Sequence, residues 1–79
     1  MSDTETTIPA DVAAHVLWSE DLGGYPADSF TAQLLRAWGL ADEVNASRLA
    51  ALWPQYAAAY ELLQQRGGAD RLRAIAGGR

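Results

Sequence analysis

The chain has 79 residues, a net charge of −4 and no cysteine. That is enough for one domain, with a thin core burying roughly 60% of the surface the unfolded chain would expose. A disulfide framework and any thiolate metal site are excluded. The acidic balance disfavours a nucleic-acid binder, which needs a basic face to neutralise phosphate, while 49% hydrophobic residues mark a globular composition.

Residues 1–8 are polar and unpatterned and read as a flexible N-terminal leader. They do not begin basic and continue apolar, as a secretory signal would. No apolar run approaches the ~20 residues that span a bilayer. The expectation is a cytoplasmic protein with no membrane partner. A single helical domain is expected over 9–76, with residues 77–79 fraying.

Pro9 sits where a first helix can begin, with Asp11 in its first turn. Val12, Val16 and Leu17 supply an apolar face, and Gly23-Gly24 a stop, which places the helix at about 10–21. Pro26 disfavours helix at Tyr25, and Asp28 or Ser29 can cap a second helix. Phe30, Leu34 and Trp38 recur at four-residue spacing beside Leu35, with Phe30 stapling this helix to the core and Gly39 ending it. Asp42 is the next cap, and Asn45 can bond across that connection. Val44, Leu49, Leu52 and Trp53 form the apolar stripe of a third helix. Pro54 fits the first position of a fourth, which carries Tyr56, Ala59, Tyr60 and Leu63 on one face and stops at Gly67-Gly68. A short last helix at about 70–76 offers Leu72 and Ile75. No segment alternates as a strand does, so the fold expected is all-α, a compact bundle of four to five short helices.

The chemistry-bearing residues are sparse. His15 is the only histidine, and neither a nucleophile elbow nor a glycine-rich oxyanion loop accompanies it, Ser19 or Ser29. The neighbouring pairs Glu20-Asp21 and Asp42-Glu43 do not converge on one metal, and the glycine pairs lack the spacing and the lysine of a phosphate loop. No catalytic residue, metal ligand or cofactor site is therefore expected, and the chain reads as a non-enzyme. The second and third helices have the length of a helix-turn-helix that would present Asn45, Ser47 and Arg48 to a groove. Asp42 and Glu43 would then meet phosphate repulsively.

Trp18, Trp38 and Trp53, with Tyr25, Tyr56 and Tyr60, are more aromatics than a thin core holds. Trp38 and Trp53 fall on the apolar stripes and are the expected core members. Tyrosine and tryptophan left at the surface are typical interface anchors. Glu20 and Asp21 stand near a helix C-terminus, where negative charge is disfavoured, which suits a positive group on a partner. Tyr25, Trp18, Tyr56, Glu20 and Asp21 are accordingly the candidate partner-binding residues. The first 60 residues carry eight acidic and two basic residues, and the remainder is net +2, an asymmetry that also allows self-association as a homo-oligomer.

All six basic residues are arginine and alanine dominates the apolar set, a composition that points to a high-GC genome. The run Leu22-Gly23-Gly24-Tyr25-Pro26-Ala27-Asp28-Ser29-Phe30, then Ala41-Asp42-Glu43-Val44-Asn45 and Leu52-Trp53-Pro54-Gln55-Tyr56, resembles small, uncharacterised helical proteins of actinobacterial phages and prophages. Those carry a Pro-x-Gly-Ser-Phe-like turn, an Ala-Asp-x-x-Asn helix start and a Phe-Pro-x-Tyr segment. The resemblance covers roughly residues 22–60. Asp28 stands where glycine is common, and Trp53 where phenylalanine is. The resemblance implies no chemistry. Together with the surface aromatics it suggests a phage accessory protein in the host cytoplasm, binding a host or phage protein and modulating a host factor or defence component. The alternatives are a small helix-turn-helix-like DNA-binding regulator and a self-assembling virion-associated protein.

Overall fold

A computed structural model describes residues 7–77. Most of the expected leader, residues 1–6, and the last two positions of the expected fray lie outside the described residues. Five helices follow one another: α1 (Ala10–Ser19), α2 (Ser29–Leu40), α3 (Glu43–Leu52), α4 (Pro54–Leu63) and α5 (Gly68–Ala76). All regular structure among the described residues is helical, and none of these helices is long and apolar enough to cross a membrane.

The helix starts follow local chemistry. Asp28 caps α2 by accepting from the Thr31 N–H at 3.3 Å, and Asp42 caps α3 by accepting from the Asn45 N–H at 2.8 Å. Pro54 occupies the first turn of α4, where its missing donor is no loss. Only Trp53 separates α3 from α4.

The helix ends differ from expectation. α1 stops at Ser19 rather than near 21, because Asp21 takes a left-handed conformation with φ 64°. The Asp21 N–H donates to Trp18 O at 3.1 Å and the Leu22 N–H to Leu17 O at 2.9 Å. This pair of bonds closes a Schellman turn two residues before the first glycine. Gly24 does not stop the helix but allows a close approach. A Cβ on it would run into the Ala14 carbonyl, so the chain after α1 folds directly back onto that helix. Gly39 does not end α2, which runs one residue further; a lone glycine costs a helix only about 1 kcal/mol. α4 ends at Leu63, and Gly67, left-handed at φ 73°, turns the chain into α5. α5 begins at Gly68 rather than near 70, and a Cβ on Gly68 would strike the Leu62 carbonyl.

The core is aliphatic. Val12, Ala13, Val16 and Leu17 of α1, Leu35 of α2, Ala59 of α4 and Leu72 of α5 form one buried cluster, with Leu22, Leu63 and Ile75 packed against it. α1 lies at the centre. The expected tryptophan core does not form: Trp38 and Trp53 are half-buried and no aromatic side chain is buried. Alanine explains why. Ala13 and Ala59 leave no gap for an indole and draw the helices close. Phe30 does not staple α2 to the core; it is exposed and lies 6.3 Å from Trp53, centroid to centroid. The expected stripe of α3 does not reach the core either, for α3 has no buried residue.

Arg73 ties the two ends of the bundle together. Its guanidinium donates to the Leu22 carbonyl through Nε (3.2 Å) and Nη2 (3.1 Å), and to Asp70 through Nη1 (2.9 Å).

Candidate functional site

The candidate residues separate into two groups on different sides of α1. On one side His15 Nδ1 lies 3.0 Å from the Tyr56 hydroxyl, and its ring meets Tyr25 edge-on with centroids 5.4 Å apart. One turn later Ser19 Oγ lies 3.3 Å from the Tyr60 hydroxyl. The two polar pairs advance together along both helices, so α1 and α4 run parallel with a polar seam between them. Burial, with the carboxylates of Asp11 and Asp28 nearby, pushes the Tyr56 phenol above its ordinary pKa. Burial does the same at Tyr60, opposed by the Ser19 bond. Asp28 is held below the usual carboxylate range by the side chain and backbone of Thr31.

This seam orders the polar groups rather than freeing them. The Ser19 hydroxyl donates to the Val16 carbonyl at 2.8 Å, so it is not aimed at a substrate by His15. Tyr56 is half-buried here; Tyr25 is the exposed member, at 49%.

On the other side Trp18, Glu20 and Asp21 line a cleft between the end of α1 and the face of α2, opposite Arg36. Glu20 is the C-cap of α1. The Glu20 and Asp21 carboxylates therefore sit where the helix dipole disfavours them, and the only ion pair among the described residues joins Arg73 to Asp70.

A further surface is not visible along the chain. Trp38 packs against Tyr60 with centroids 5.4 Å apart and ring planes tilted by 38°. The pair floors a groove between α3 and α4 that continues to the end of α1, in two adjoining clefts of about 350 and 600 Å³. Among the described residues, Glu20, Glu43 and Glu61 are the only charged ones lining those clefts. The spacing along the chain marks Trp38 on one helical stripe and Tyr60 on another, but not that α4 brings the two together.

The second missed feature is an apolar exterior on the α2–α3 hairpin. Phe30 is 64% exposed, Leu40 83%, Val44 60% and Leu52 69%. With Tyr25 these are all the large hydrophobic residues exposed among those described. On α3 the exposed Asn45, Ser47 and Arg48 share the surface. The Asn45 side chain does not bond across the α2–α3 connection as expected; its Oδ1 accepts from Arg48 Nη1 of the same helix at 3.4 Å.

No protein-family model, curated protein or solved structure matches the chain.

Proposed function

We propose that this protein is a non-enzymatic phage accessory protein that acts by binding another protein of the host or the phage, through the α2–α3 hairpin. The observation that carries this reading is the grouping of Phe30, Leu40, Val44 and Leu52 on that one hairpin, all more than half exposed. Scattered single apolar residues need no explanation, whereas a group on one element marks an interaction surface. α3 has no buried residue, so its exposed Val44 and Leu52 are not there to fill the core of this fold. The engagement of His15 by Tyr56 and of the Ser19 hydroxyl by Val16 supports the non-enzymatic part. The phage origin rests on the resemblance over residues 22–60 and on the arginine-only, alanine-rich composition. Modulation of a host factor or defence component is the role that fits a small binding module of this kind.

The test is site-specific photo-crosslinking in an actinobacterial host. A photoreactive phenylalanine is placed at Phe30, Val44 or Leu52, with Arg71 on α5 as control. The expected result is one protein partner captured from the hairpin positions, absent from the Arg71 position and lost in a Val44→Ser/Leu52→Ser background. Equal capture from all four positions, or capture of nucleic acid in place of protein, rejects the reading.

A further inference from the structure

We infer that the groove floored by Trp38 and Tyr60 receives a cationic helix, bearing arginine or lysine, from the partner protein. This inference rests on the protein-binding reading and names the chemistry of the partner; the surface is distinct from the outer face of the hairpin.

Three observations converge on it. The first is charge. Glu20 from the end of α1, Glu43 from the start of α3 and Glu61 from α4 line the groove; among the described residues no basic side chain lines it, and none of the three is in an ion pair. Three helices thus deliver carboxylates to one depression, and Glu20 stands at a helix C-terminus that disfavours its charge. A cation from outside relieves both conditions.

The second is the floor. The half-buried Trp38 packs at a tilt against Tyr60 and lines both clefts. An indole face attracts guanidinium or ammonium groups, most strongly where water is partly displaced. The third is shape. Ala46 and Ala50 of α3 and Ala57 of α4 form the walls, and small residues on two neighbouring helices let a third approach closely. An amphipathic helix with apolar residues toward the alanines and cations toward the glutamates fits both features.

The three tryptophans report on three surfaces: Trp38 on this groove, Trp18 on the α1–α2 cleft, and Trp53, beside Phe30, on the hairpin. The probe is a synthetic amidated helix of alanine, leucine and arginine, compared with the same peptide carrying glutamate for arginine. Titration is followed by the indole N–H resonances. The expected result is a shift of the Trp38 signal by the arginine peptide only. Affinity should fall at least 10-fold in Glu20→Gln/Glu43→Gln/Glu61→Gln, whose three exposed substitutions leave the core untouched, and should fall with added salt. No binding of the arginine peptide, equal binding of the glutamate peptide, unchanged affinity in the triple variant, or movement of Trp18 or Trp53 in place of Trp38 overturns the inference. So does sedimentation showing the chain associating with itself in a manner abolished by Arg66→Gln/Arg71→Gln, which would make a second copy the occupant. Peptide failure with hairpin crosslinking intact rejects the groove alone; loss of crosslinking rejects the binding reading itself.

Discussion

The half of the molecule made by α1, α4 and α5 and the half made by α2 and α3 are built on opposite rules. In the first, small aliphatic side chains are buried, glycines allow backbone-to-backbone approach, and one arginine clamps distant segments. In the second, only Leu34 and Leu35 are buried, while four large apolar residues face outward. The hairpin is nonetheless well formed, because each of its helices begins with an aspartate cap. Local chemistry builds the hairpin, and long-range packing builds the rest. Stability and the exposed apolar surface can therefore vary independently.

Substitutions should fall on either side of this division. The largest effect is expected for Leu72→Ala, which empties a fully buried site against α1; thermal or denaturant unfolding should show a loss of about 2–5 kcal/mol. Gly24→Ala comes next. Its methyl group meets the Ala14 carbonyl from a left-handed backbone position, and a loss of about 1–3 kcal/mol is expected in the same assay. Gly39→Ala has the opposite sign. Nothing lies within reach of a Cβ there and the residue is helical, so stability should rise by about 0.5–1 kcal/mol. Val44→Ser and Leu52→Ser should each change stability by less than about 0.5 kcal/mol while weakening partner capture. A large destabilisation from either would erase the contrast between the halves.

The last effect is confined to alkaline solution. Tyr56 and Tyr60 have phenol pKa values raised in the folded state. Their contribution to stability is complete below the unfolded value of about 10 and is lost as pH rises through the folded values. Unfolding followed by circular dichroism should therefore steepen above pH ~10, and Tyr56→Phe/Tyr60→Phe should flatten that limb.

The parts of the fold legible in the sequence were those decided by a few neighbouring residues. Asp28, Asp42 and Pro54 start helices where their chemistry requires, and five helices form. The stops were harder to read, because Asp21 supplies a left-handed residue that glycine was expected to give, and Gly39 is absorbed into a helix. Burial was harder still. Val44, Leu49 and Leu52 have the spacing of a buried stripe, yet no helix covers Val44 or Leu52. Ala13, Ala14 and Ala59, which look neutral in sequence, are among the most buried residues. As for the site, the odd placement of Glu20 and Asp21 beside Trp18 was visible along the chain. The joining of Glu20 to Glu43, Glu61 and the Trp38–Tyr60 pair was not, because it depends on how four helices meet.

The Arg73 clamp and the central place of α1 bear on the order in which the chain takes shape. Leu22 and Arg73 are 51 residues apart, and Val16 and Leu17 share a cluster with Leu72. As the polypeptide leaves the ribosome, α1 emerges while the helix that completes its enclosure has not been made. Closing so long a loop is opposed by chain entropy until the final contacts form. The hairpin, with its own caps, can be shaped early, whereas α1 keeps its apolar side uncovered for most of synthesis. Closure of the bundle therefore waits on its last helix, and shortening the chain within α5 removes Leu72 and Ile75 from the cover of the first.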